Sequence, residues 1–270
     1  MSEENENQEG IVRKCTVIGN GATLKGFDFK KITEETIGLT MAIRHWYDID
    51  WFPTYYVNVD PVVLKYHHKL IKKMIDQDKC EKGYLLSKEI LKVEPDLEKN
   101  DKVIFLEDMQ IMRGNPLQYL VEWCSGTVAV LFGVILGYND LQLIGFDCQY
   151  TEMLPETEIL DNGSLRITKT PTSNPNYFID DYQQEGDVYN KPRVDDVHKK
   201  SWEHLVFIVT GFVHMNRFPM MIHSFTNDKV EGLTKFFPKK NIDDYGIEEL
   251  PTREYDPIAE NVIEQETQLP

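Results

Sequence analysis

The chain has 270 residues, with 29 Lys+Arg against 45 Asp+Glu and a formal charge of −16. It is long enough to bury a full core, and 41% hydrophobic with 11% aromatic residues mark it as globular. The acidic balance excludes a general nucleic-acid binder, which needs a basic footprint. No run approaches the roughly 18 apolar residues that span a bilayer, and the acidic opening MSEENENQEG does not read as a signal peptide, so a cytoplasmic protein is expected.

Much of the charge is terminal. Residues 1–10 carry four Glu and no base, and 241–270 carry nine Asp/Glu and one Arg, which leaves only −4 for 11–240. The expected organisation is therefore a disordered acidic N-terminus over 1–10, one α/β domain over 11–240 and an acidic extension over 241–270. Cys15, Cys80, Cys124 and Cys148 are widely spaced with no CxxC pair, which argues against a disulfide framework or a zinc site. Asn162-Gly163-Ser164 is a formal sequon that reads as a plain turn.

In chain order, the run CTVI at 15–18 stops at Gly19-Asn20-Gly21 and reads as a buried strand feeding a glycine turn. The apolar stretch 37–43 ends in Arg44-His45-Trp46, and a third, 54–59, ends in Asp60-Pro61. Asp60 then caps a helix whose first residue is Pro61, with Val63, His67, Leu70, Ile71 and Met74 on one face. VIFL at 103–106 is another strand, and the chain turns helical from Asn115-Pro116. The segment 125–136 is apolar nearly all round, a buried helix that Gly137 ends, and 140–147 is a strand closing on Asp147. Residues 151–200 are polar with little periodicity, as in a lid. Helix 201–216 and the strand-like 220–224 follow.

Alternating strands and helices predict a Rossmann-like α/β fold, a mainly parallel sheet with helices on both faces and a lid over about 151–200. Ligands bind such sheets beyond the carboxyl ends of the strands, an edge expected to gather Gly19–Gly21, Arg44, Asn58, Asp60, Asp147, His223 and Ser224. Gly19-Asn20-Gly21 has two glycines of a dinucleotide fingerprint but Leu24 in place of the third. It can bring backbone amides to a phosphate or serve as a strand-ending turn. Ser125-Gly126-Thr127 opens the buried helix, where an anion could meet hydroxyls and the positive helix end, or where helices simply pack closely. Asp48-Ile49-Asp50 matches a carboxylate-x-carboxylate metal pattern only formally, and no metal is expected. Asp180-Asp181 lies among Tyr177, Phe178, Ile179 and Tyr182, surroundings able to raise a carboxyl pKa and hold a general base, or simply a charged loop capped by aromatic packing. No GxSxG elbow and no P-loop occur.

The segment CTVIGNGATLKGFDF (15–29) resembles the opening strand and turn of the bacterial lipooligosaccharide sialyltransferases and their relatives. The segments CSGTVAV (124–130) and LGYNDLQLIGFD (136–147) resemble that family's second signature. The resemblance covers about 15–215. It implies a Rossmann-like, GT-A-type glycosyltransferase that needs no metal or other cofactor. It would take a nucleotide-sugar donor, with a glycan or glycolipid as acceptor and room for peripheral membrane association. By position, Gly19, Asn20, Gly21, Ser125, Gly126, Thr127 and Asp147 become donor-site residues, with Arg44 and Asp60 beside them. Lid tyrosines Tyr177, Tyr182 and Tyr189 would steady the leaving phosphate. The family's lid His, its base, aligns with Asp180, beside Asp181, so a carboxylate takes that role here. Relatives that include archaeal pterin pyrophosphokinases keep a diphosphotransferase open, and a non-catalytic nucleotide-binding module is the third alternative.

Overall fold

The computed structural model describes residues 12–109, 124–148, 153–191, 197–216 and 219–246. Strand β1 (Lys14–Ile18) is buried from Cys15 onward, as a central parallel strand covered on both faces must be. From it the chain steps outward through β2 (Glu35–Leu39), β3 (Tyr55–Asn58), β4 (Gly83–Leu86) and β5 (Val103–Phe105). It then returns to the other side of β1 for β6 (Asp140–Ile144), β10 (Met221–Thr226) and β11 (Lys239–Asn241). All eight strands are parallel. β1 and β6 run in register from Lys14 opposite Asp140 to Ile18 opposite Ile144, so their ends coincide. The winding reverses between these two strands, which is where a doubly wound sheet opens a crevice.

Helices α1 (Ile43–Ile49) and α2 (Pro61–Asp76) cover one face with several short 3₁₀ turns, and α3 (Ser125–Ile135) and α4 (Val197–Asn216) cover the other. The start of α2 is as the sequence requires: the Asp60 carboxylate accepts from the amides of Val62 (2.8 Å) and Val63 (3.2 Å), with Pro61 first in the helix. Helix α3 is buried from Thr127 through Val134, since the sheet lies on one side and α4 on the other.

Two expectations change. The segment 151–200, expected to show no regular structure, contains within residues 153–191 a small antiparallel sheet of β7 (Thr157–Ile159), β8 (Leu165–Ile167) and β9 (Val188–Tyr189). Its strands are too short for their alternation to show in sequence. The sequon is the turn between β7 and β8, where Gly163 N–H donates to the Leu160 carbonyl and Ser164 N–H to Asn162 Oδ1. Second, residues 241–245 return to the sheet. Tyr245 is buried, and its hydroxyl and that of Thr16 both donate to Glu34 (2.6 and 2.5 Å). The helical start expected at Asn115-Pro116 lies outside the described residues, as do 1–11 and 247–270.

Candidate functional site

At the carboxyl end of β1 the chain passes so close to the turn after β6 that only glycine fits. A Cβ on Gly19 would lie 2.3 Å from the Gly145 carbonyl oxygen, and one on Gly21 2.4 Å from Asp147 Cγ. The amides of Gly19 and Gly21 donate to Ile144 O and Gly145 O (2.8 Å each). These two N–H groups therefore hold β1 to β6, as in the strand-ending turn that is the other expectation for this segment. Asp147 is buried beside them and accepts from Thr23 N–H (3.0 Å) and Thr23 Oγ1 (2.5 Å). Burial raises its pKa, and the Thr23 bonds only partly offset this.

Asn20, between the two glycines, carries the unmet polarity of the site. Its Nδ2 donates to Thr40 Oγ1 (2.6 Å), whereas its buried Oδ1 has no hydrogen-bond partner among the described residues. Thr40, at the end of β2, sits at φ +46, a strained conformation for a β-branched residue and one that concentrates at functional sites. The N-terminus of α3 lies beside the end of β3, at the carboxyl edge of the sheet. Among the described residues its capping position, Cys124, makes no side-chain cap hydrogen bond. Ser125 Oγ accepts from Val59 N–H (3.3 Å), tying the helix start to the end of β3, and Gly126 lies against Phe146. Thr127 is turned inward: its hydroxyl donates to the Cys124 carbonyl and lies 2.9 Å from Ser201 Oγ in the α3–α4 contact.

The small antiparallel sheet is fastened beside the crevice by two residues expected at the donor. Arg44 makes a two-pronged pair with Asp187 (2.6 and 2.8 Å) and donates to the Tyr182 carbonyl (2.6 Å). Burial alone would lower its pKa, but the Asp187 bonds outweigh that and raise it. Asp60 caps α2 and accepts from Asn190 Nδ2 (2.8 and 2.7 Å). Both side chains are thus engaged as anchors of β9. The tyrosines divide likewise. Tyr182 and Tyr189 are buried, the first with its hydroxyl 3.0 Å from Thr40 Oγ1, the second donating to Asp187. Tyr177 stacks on Tyr182 with ring centres 3.9 Å apart and is only half-buried.

Asp180 does not have the environment expected of it. Its side chain is 54% exposed, bonds Lys25 Nζ (2.8 Å) and accepts from Asn174 N–H. The Lys25 bond, then the Asn174 bond, hold its pKa below the usual carboxylate value, so it is a weak proton acceptor. Asp181 is exposed as well. Asp48 and Asp50 are exposed at the end of α1, and no cluster of metal-ligating side chains occurs among the described residues. His223 and Ser224 lie within β10, opposite Gln142 and Leu143, rather than at the carboxyl edge. Asn58, the last residue of β3, is at that edge as expected and donates to the Tyr56 hydroxyl (3.0 Å).

One feature went unread in the sequence. A recess of about 510 Å³ is lined by Leu24, Phe27, Asp28, Phe29, Lys30, His45, Ile49, Phe178 and Ile179. His45 meets Phe178 edge-on (5.2 Å, 87°) and Phe29 at a tilt (5.7 Å). Its neighbours come from three separate stretches of chain, so no local motif marks it.

Among the described residues, no helix is long and apolar enough to cross a membrane. No family model and no curated protein matches the chain. Solved structures do. The sialyltransferase CstII from Campylobacter jejuni, in complex with the substrate analogue cytidine-5'-monophosphate, is similar over 96% of this chain and 100% of that one, with TM-score 0.44 and 12% identity. The monofunctional alpha-2,3-sialyltransferase Cst-I from the same organism is similar over 97% and 96%, with TM-score 0.45 and 14% identity. CST-II in complex with a trisaccharide acceptor and CMP gives 95% and 100%, TM-score 0.41 and 12% identity. The chain is thus similar in structure, over nearly its full length and at low sequence identity, to the Campylobacter CstI and CstII sialyltransferases.

Proposed function

We propose that the chain is a glycosyltransferase that moves a sugar from a nucleotide-sugar donor to a hydroxyl of a glycan or glycolipid, with inversion and without a metal. The observation that carries the reading is the switch-point edge between β1 and β6, where among the described residues the buried Asn20 Oδ1 has no hydrogen-bond partner; the start of α3 at Ser125-Gly126, at the same edge, suits an anion. A nucleotide satisfies both demands, since its hydroxyls or amino group can donate to Asn20 and its phosphate can accept from the α3 amides. The motifs around 15–29 and 124–147 support the same assignment. Thr127, Arg44 and Asp60 then act by holding α4, β9 and α2 around the crevice, and Tyr177 is the tyrosine best placed to reach a leaving phosphate.

Calorimetric titration with CMP, CDP, UDP, GDP and ATP, each with and without Mg²⁺, tests the site. The nucleotide that binds best is expected to lose about tenfold in affinity, the equivalent of one hydrogen bond, in Asn20→Ala. Unchanged binding in Asn20→Ala and in Ser125→Ala would place the nucleotide elsewhere.

A further inference from the structure

We infer that Thr40 is a positioning residue: its hydroxyl ties the Asn20 amide to Tyr182 and so couples the nucleotide site at the β1–β6 edge to the connection between β8 and β9. This rests on the nucleotide site proposed above and goes beyond it by naming the residue through which the small sheet regulates that site.

At φ +46 Thr40 occupies the left-handed region, which glycine enters freely and a β-branched residue avoids. Such a conformation persists only where its surroundings over-determine it, and here they do. The Thr40 carbonyl accepts from the hydroxyl of Tyr56 (3.1 Å), a fully buried side chain of β3 whose oxygen in turn accepts from Asn58 Nδ2 (3.0 Å). The next amide, Met41 N–H, donates to the Tyr182 hydroxyl oxygen (3.3 Å). A glycine could make the same turn without strain, so what the threonine adds there is its side chain.

The Thr40 hydroxyl stands between two groups from distant parts of the chain. It accepts from Asn20 Nδ2 (2.6 Å) and lies 3.0 Å from the Tyr182 hydroxyl. Holding Nδ2 fixes the plane of the amide, with Oδ1 turned to the other side, where among the described residues it has no hydrogen-bond partner. Asn20 is thereby kept ready to accept from a nucleotide. Tyr182 is buried and stacks face to face on Tyr177 (3.9 Å, 10°), and its carbonyl accepts from Arg44 (2.6 Å). A second tie runs beside the first: Phe178 N–H donates to the Asn20 carbonyl (3.2 Å). The stretch 177–182 is thus bound to Asn20 twice, once through backbone and once through the Thr40 hydroxyl. A ligand that fixes the Asn20 amide therefore tightens the row from Asn20 through Thr40 to Tyr182. Ordering of that stretch favours the ligand in return, since coupling between two sites is reciprocal.

Calorimetric titration of the full chain with CMP, CDP, UDP, GDP and ATP identifies the nucleotide that binds best, and that nucleotide is the probe. Thr40→Val removes the hydroxyl while keeping the branched shape, and is expected to weaken binding about tenfold, the equivalent of one hydrogen bond. Thr40→Ser restores the hydroxyl and is expected to bind within about twofold of wild type. In an Asn20→Ala background, Thr40→Val is expected to cost less than about twofold more, because the amide it positions is gone. A purely structural role would cost the same in both backgrounds. Hydrogen exchange is the second readout: the nucleotide is expected to slow amides between 174 and 189 about tenfold in wild type and Thr40→Ser, and not in Thr40→Val. Wild-type affinity in Thr40→Val, a failure of Thr40→Ser to restore it, or equal losses in the two backgrounds overturns the coupling. A wild type that binds none of the five nucleotides overturns the site proposed above, and this inference with it.

Discussion

The pairing of Arg44 with Asp187 makes a demanding prediction, because it ties α1 to the residue just before β9, 143 residues away. Asp187→Asn keeps the shape of the side chain and removes its charge. The two side chains are only 15% and 11% exposed, and breaking a buried pair by removing one partner costs about 3–5 kcal/mol. Arg44 retains its bond to the Tyr182 carbonyl, which places the loss near the lower end, about 3 kcal/mol. In a chain of this size each kcal/mol moves Tm by about 2–4 °C, so calorimetry is expected to show a fall of about 6–12 °C. The double variant Arg44→Met/Asp187→Leu removes both charges together, and replacing a buried pair with apolar groups is close to neutral. It is expected to recover most of the loss. A single variant within 2 °C of wild type, or a double variant no better than the single, refutes the claim that this pair fastens the small sheet.

Three further predictions follow from the same geometry. Gly21→Ala puts a methyl group 2.4 Å from Asp147 Cγ and is expected to cost about 1–3 kcal/mol, measured by denaturant midpoint, and to abolish nucleotide binding in the titration. Asp147 has a folded-state pKa above its unfolded value, so the native state holds a proton that the unfolded chain has lost. Stability is expected to decline as pH rises through and just above the ordinary carboxylate range, and Asp147→Asn is expected to flatten that decline in urea melts. Glu34 shows the opposite sign: burial would raise its pKa, but the bonds from Thr16 and Tyr245 outweigh burial and lower it. Its contribution is present above the ordinary carboxylate range and lost as pH falls through the lowered folded value. Tyr245→Phe is expected to cost about 1.5 kcal/mol at pH 7 and to reduce the acid sensitivity.

What could be read in advance follows the range of the interactions. The strands expected at 15–18, 103–106 and 140–147 occur at 14–18, 103–105 and 140–144, the last ending at Ile144 because Gly145 turns left-handed, and the cap at Asp60 and the buried α3 also rest on local patterns. β4, four residues of GYLL between polar turns, and the two- and three-residue strands of the small sheet are too short to carry a period. At the site, the glycines at 19 and 21 were legible as a turn, but their cause, the crossing with Gly145 and Asp147, lies more than 120 residues away. Asp180 was read from its aromatic neighbours in sequence, whereas Lys25, 155 residues away, decides its electrostatics. His45 was one histidine among seven, and only the fold brings Phe29 and Phe178 to it.

The central claim is that the switch-point crevice serves transfer of a sugar from a nucleotide without metal help. The most direct test is product analysis after incubating the full chain with CMP-, CDP-, UDP- and GDP-sugars and a glycan acceptor, in EDTA and in Mg²⁺. The account predicts transfer from one of these donors at the same rate in both conditions, with loss in Asn20→Ala. Mg²⁺-dependent diphosphate transfer from ATP, or no turnover of any sugar donor, would contradict it.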